Sequence, residues 1–314
     1  LYRSNTENVK SIVFLFGAGA SYGAGDIVPE SPPLGSQLYK ALAAIYPNSW
    51  GIFPGEIKQK FEENFELGMA VIYEQYSMSI AELMQELAVY LIQFRPYSGA
   101  SLYCRLVRTL QTNNLIEHVL FSTLNYDCIL EFSLLNQGIP ISYFPGGQND
   151  KGVPVWKLHG SCNMFSSDIQ AAPGILYARG VIFEGRLQAY IDRGTVIENC
   201  LNTALAPAMC LYMKGKPLQI SPSVIKYLQE AWRDAVAKSD VVCCIGVNPL
   251  PEDDHIWNPL AETTANLYCI GNERAFTNWI KNNRKGASEF IASRFNTGFH
   301  ELERRLVKYA THRS

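Results

Sequence analysis

Short apolar runs that end abruptly in polar or glycine-containing turns constrain this chain more than any other feature. Five of them stand out: Ile12 to Phe16, His118 to Ser122, Val155 to Leu158, Val241 to Ile245 and Leu267 to Ile270. Runs of four or five residues that offer no polar face are what a parallel sheet covered on both sides demands. Helix-length stretches with apolar residues three and four apart lie between them: Ser36 to Ile45, Ile80 to Phe94, Leu102 to Gln111 and Val224 to Lys238. The alternation predicts an α/β fold, a Rossmann-like parallel sheet flanked by helices. The turns that follow are Gly17-Ala18-Gly19, Asn125-Tyr126-Asp127, His159-Gly160-Ser161 and Gly246-Val247-Asn248. In open parallel sheets, ligands bind at those carboxyl ends.

The remaining segments are read more loosely, within one domain spanning residues 1–314. Gly51 to Arg95 is rich in Glu, Gln, Met and Tyr with few β-branched residues, which predicts a helical insertion. Asn163 to Pro222 mixes Gly, Pro and short apolar pieces such as Gly180-Val181-Ile182-Phe183 and reads as a less regular lobe. Ala275 to Tyr309 reads as two or three C-terminal helices. Composition narrows the function classes. A hydrophobic content of 47% excludes wholesale disorder. The balance of 27 basic against 29 acidic side chains argues against a nucleic-acid grip. No apolar run approaches the roughly 18–20 residues of a membrane helix, and Leu1 to Lys10 is polar, so a soluble cytoplasmic protein with no membrane contact is expected. The eight cysteines include no CxxC pair, so they are expected to be reduced core residues and not a zinc clip.

The glycine turn leads from an apolar strand into a short predicted helix, Phe16-Gly17-Ala18-Gly19-Ala20-Ser21. Glycine lets a backbone approach a phosphate, although the same turn is also a purely structural device. The dehydrogenase fingerprint is not met, because its third glycine would fall on Tyr22. A phosphate loop of the Walker type is excluded as well, since no Lys or Arg occurs between Lys10 and Lys40. Asn125 and Asp127 place an amide and a carboxylate just past a strand, suited either to a ribose and a carboxamide or to capping a helix. His159 follows another strand and reads as a catalyst or as a satisfied core histidine. Of the other histidines only His255 has a comparable setting, and without an HxxxH or HExxH pair no metal is expected. Acidic and amide side chains in Gly246 to Asp254 and in Gly271-Asn272-Glu273 are candidates for ribose hydroxyls or for loop and cap chemistry.

Taken in order, GAGAS, TLNYD, KLHGS, GVNPLPEDD and IGN resemble the sirtuin fold family, over roughly Ser11 to Glu273. Within it the chain is most similar to bacterial sirtuin-like NAD hydrolases that act as effectors in anti-phage defence. The resemblance implies that Gly17, Ala18, Gly19 and Ser21 meet the NAD diphosphate side, and that Asn125 and Asp127 hold the nicotinamide ribose and carboxamide. It further implies that His159 is catalytic, and that Gly246, Asn248 and Asn272 border the adenosine half. NAD is then the substrate, no metal is required, and the activity would be held off until homo-oligomerisation or an activating partner protein triggers it. Two departures bear on substrate. The paired CxxC elements of protein-deacylating sirtuins are missing, and their Pro-Asp-Phe-Arg stretch is replaced by Asp26-Ile27-Val28-Pro29-Glu30-Ser31. A deacylase or ADP-ribosyltransferase and a non-enzymatic NAD or ADP-ribose sensor are the alternatives.

Overall fold

The computed structural model describes residues 11–76, 80–145, 151–169, 181–211 and 218–313. Leu1 to Lys10 and Gly180 lie outside them. The first half runs β1 (Ile12–Phe16), α1 (Ala18–Tyr22), β2 (Ile27–Val28), α2 (Gly35–Ile45), α3 (Gly55–Glu63), α4 (Phe65–Gln75), α5 (Ile80–Leu91), β3 (Arg95–Pro96), α6 (Leu102–Thr112), β4 (Val119–Thr123) and α7 (Ile129–Leu135). It continues with β5 (Ile141–Ser142), β6 (Val153–Lys157), β7 (Met164–Ser166), β8 (Leu187–Ala189), α8 (Arg193–Asn202), α9 (Pro222–Lys238), β9 (Val241–Ile245), α10 (Asp254–Glu262), β10 (Asn266–Ile270), α11 (Glu273–Asn283), β11 (Ser288–Ala292) and α12 (Phe295–Arg313).

Seven strands form one sheet in the order β11-β10-β9-β1-β4-β6-β5, and every neighbouring pair is parallel. All five apolar runs lie in it. The central strands β1, β4 and β9 are buried along their whole length, which is why their sequences show no alternation. One face packs Phe14, Phe16 and Phe121 against Tyr103, Phe295 and Phe299. The other packs Val13, Leu15 and Leu120 against Trp232, Ile256 and Phe276.

The C-terminal expectation needs correction. Between α11 and α12 lies the edge strand β11, within the stretch read as helices alone. Its sequence Ser-Glu-Phe-Ile-Ala is half-covered, so it carries polar residues that a two-sided strand could not. Buried Arg284 fastens the region just before it, donating to the backbone carbonyls of Leu260, Thr263 and Ala265. Within Gly51 to Arg95, α3, α4 and α5 pack on aromatic side chains. Phe61 stacks on Tyr39 with ring centroids 4.3 Å apart, and Gly68 leaves room for that ring. The looser stretch after Asn163 holds the β7–β8 hairpin and α8 among its described residues.

After β1 the chain builds outward through β4 on one side and later returns to β9 on the other. The crevice beside β1 is therefore the point where strand order reverses, where such sheets take ligands.

Candidate functional site

The strand-to-strand ladder continues past the strand ends, so the loops beyond them form one bonded rim. Gly17 N donates to Ile245 O, Leu124 N to Phe16 O, Leu158 N to Thr123 O, and Gly246 N to Ile270 O, at 2.7 to 3.0 Å. The glycines of this rim are needed first for backbone contact. Gly19 N donates to Gly246 O at 3.1 Å, and a Cβ on Gly246 (φ +67°) would lie 2.0 Å from Ala20 N. Gly160 is held likewise at φ +77°, where a Cβ would lie 1.8 Å from Ala208 O. The left-handed conformation alone costs a non-glycine residue about 1–3 kcal/mol, and the overlap adds to it. Gly160→Ala and Gly246→Ala should each shift the urea midpoint downward by more than that strain alone; unchanged midpoints would show that the loops part freely.

Asn125 stands two residues past Thr123 on β4, and His159 two past Lys157 on β6. Thr123 and Lys157 are register partners on adjacent strands, which run about 4.8 Å apart. The Asn125 backbone is fixed by donation to Thr123 Oγ1 at 2.9 Å. Its Nδ2 donates to Gly17 O at 3.0 Å and Ser21 Oγ at 2.9 Å, using both amide hydrogens and turning Oδ1 into the acceptor still on offer. Ser21 is buried beneath the glycine turn, its hydroxyl engaged with Asn125 and with Tyr103 Oη at 3.2 Å. It thus orients Asn125 from below and does not face the cleft. Asp127 is also buried, and Oδ1 accepts from Ile129 N at 3.1 Å, an Asx turn leading into α7. Burial raises its carboxyl above the ordinary value against the pull of Lys157.

Lys157 ties these segments together. Its fully buried ammonium reaches Glu131 Oε1 at 3.0 Å and donates to Asp127 O at 2.5 Å. Burial alone would lower its pKa, but Glu131 and its neighbours win and raise it above the ordinary lysine value. Burial raises Glu131, with Lys157 opposing. The signal in the sequence was a lysine inside the strand Val153-Pro154-Val155-Trp156-Lys157. Ser161 Oγ and Cys162 N both donate to Tyr126 O at 3.1 Å, so the histidine and asparagine loops are bonded to each other.

His159 is nearly inaccessible at 3% exposure. Its Nε2 lies 3.0 Å from His255 Nε2 and 3.8 Å from Asp253 Oδ1. Both partners come from the segment that follows β9, three places away in the sheet order, so that segment crosses the ends of β1 and β4 to reach β6. The setting of His255 in the segment after β9 is visible in the sequence, whereas its approach to His159 is not.

A cleft of about 1420 Å³ opens beside this rim. Ala18, Gly19, Gly246, Asn248 and Asn272 line it together with Arg274 and Arg294. Gly17, Ser21, Asn125, Asp127 and His159 are not among its lining residues. Asn272 Oδ1 caps α11 by accepting from Ala275 N at 3.1 Å. All eight cysteines are free and buried. Among the described residues no helix is long and apolar enough to cross a membrane.

No protein-family model matches this chain, and no curated protein does. Among solved structures it aligns with a Sir2 in complex with the inhibitor EX-527, 2′-O-acetyl-ADP-ribose and a deacetylated p53 peptide. That alignment covers 96% of this chain and 94% of the other, at 14% identity and a TM-score of 0.42. A structure described as the structural basis of sirtuin substrate affinity aligns over 95% and 93%, at 15% identity and a TM-score of 0.41. The α/β architecture itself rests on the sheet order and register above.

Proposed function

We propose that this chain hydrolyses NAD at the bond between nicotinamide and ribose, releasing nicotinamide and ADP-ribose, as a regulated effector that depletes NAD in anti-phage defence. The observation that carries the reading is the paired placement of Asn125 and His159 past register partners of adjacent strands, beside a glycine turn at the reversal point of the sheet. The cleft is large enough for a dinucleotide, since small-molecule sites typically occupy about 300–1,000 Å³. Ala18, Gly19, Gly246, Asn248 and Asn272 would line the diphosphate and adenosine side, with Arg274 and Arg294 offsetting phosphate charge.

Cleavage leaves a cationic sugar and a neutral base, so the protein's task is orientation and electrostatic support. Asn125 Oδ1 would accept from a ribose hydroxyl or the attacking water. His159 would take the proton as water bonds to C1′ and the C1′–nitrogen pair departs with nicotinamide. Asp127 would act on the carboxamide only if its loop opened, because its side chain is buried and accepts from Ile129 N. Incubating the purified chain with NAD, with and without an acylated peptide, tests the assignment. Peptide-independent release of nicotinamide with free ADP-ribose supports hydrolysis; release that needs the peptide and yields acylated ADP-ribose would assign a deacylase.

A further inference from the structure

We propose that His159, Asp253 and His255 form a binding site for one divalent transition-metal ion, and that an ion there silences the NAD chemistry by occupying Nε2 of His159. Only the silencing rests on the NAD reading; the site stands on its own geometry. One ligand atom from each residue lies within 4.8 Å of the others, with the two Nε2 atoms 3.0 Å apart and Oδ1 of Asp253 3.8 Å from His159 Nε2. Around a tetrahedral ion with bonds of about 2.0–2.2 Å, neighbouring donors sit about 3.3 Å apart, so the separations of 3.0 and 3.8 Å from His159 Nε2 each lie within about half an ångström of that spacing.

The donors are convergent without being neighbours in sequence. His159 follows β6, whereas Asp253 and His255 arrive at the start of α10 after crossing two strand ends. His159 and Asp253 are 3% and 1% exposed, whereas His255 is partly exposed, so the donors are shielded on one side and reachable on the other. Two imidazole nitrogens 3.0 Å apart hold at most one proton between them, whereas a cation meets both lone pairs at once. Two imidazoles and one carboxylate suit zinc, cobalt or nickel better than magnesium or calcium, which prefer oxygen. Three protein ligands leave a fourth position for water.

An ion in this place consumes the lone pair with which His159 would accept a proton. Metal loss, and not only a partner protein, then becomes a way to release the activity. The segment from Gly246 to His255 is also one wall of the cleft, through Gly246 and Asn248, so the ion would pin that wall to β6.

The test uses the full chain after chelator treatment, titrated with zinc by calorimetry and with cobalt by visible absorption. One zinc per chain at micromolar affinity or tighter is expected, and cobalt should give d–d bands without a thiolate charge-transfer band. His255→Ala, His255→Gln and Asp253→Asn, each verified by its melting curve, should weaken zinc at least about 100-fold. No stoichiometric zinc binding, or binding untouched by the histidine variants, would overturn the site and leave a proton-sharing imidazole pair. Nicotinamide release should fall at least tenfold when zinc replaces chelator, and His255→Ala should lessen that ratio. Undiminished release with zinc bound would overturn the silencing. Zinc binding with no release in either state would keep the metal site and remove the NAD reading, and the silencing with it.

Discussion

Asn125→Ala should lower nicotinamide release from NAD by at least about 100-fold, the range seen when a single positioned polar group is removed from a reaction centre. The fold should survive, because the partners left behind are Gly17 O and Ser21 Oγ, and Ser21 keeps its bond to Tyr103. Chromatography of the products and a thermal melt on the same sample separate the two effects. His159→Ala should match it in activity. Asn125→Asp is the sharper probe: a carboxylate oxygen would then face Gly17 O, so this isostere should lose both activity and melting temperature. Full activity in Asn125→Asp would show that the amide hydrogens hold nothing in place.

The second large effect concerns stability. Lys157→Met should destabilise the protein by about 3–5 kcal/mol, the usual cost of removing one partner from a buried ion pair. Glu131 is as fully buried as Lys157, and it loses the charge 3.0 Å away that opposes its desolvation. Its carboxyl, already above the ordinary value, rises further. A group whose folded-state pKa is raised contributes stability below its unfolded value, near 4.3, and loses it as pH climbs through the folded value. The deficit of Lys157→Met relative to the native chain should therefore grow from pH 5 to pH 8. Adding Glu131→Gln should recover part of it and flatten that pH dependence. A Lys157→Met chain that melts normally at pH 8 would contradict the account of this pair as the tie between the histidine and asparagine loops.

What the sequence disclosed and what it hid have physical reasons. Strands with apolar cores announce themselves: β1, β4 and β9 are buried throughout, and β6 and β10, covered only in part, are still legible as apolar runs. Edge strands are half-solvated and carry polar residues, so β11 was absorbed into a helical stretch, and the two-residue β5 gave no periodic signal at all. The strand-end position of Asn125 and His159 is equally legible, since His159 directly follows such a run and Asn125 comes within three residues of one. The side-chain partners were not. Ser21 and Asp127 read as ligand contacts but are turned inward, one beneath Asn125 and the other bonded to Ile129 N. The pairing of His159 with His255 joins residues 96 apart in the chain and depends on how far one loop travels across the sheet. Local pattern has no access to that distance.

The decisive experiment is nicotinamide release from NAD by the purified chain, measured over a wide range of protein concentration in the presence of chelator. The account predicts release without any acylated peptide, with ADP-ribose as co-product, and loss of that release in both Asn125→Ala and His159→Ala. Tight NAD binding with no release at any concentration would contradict it and leave a sensor in place of an enzyme.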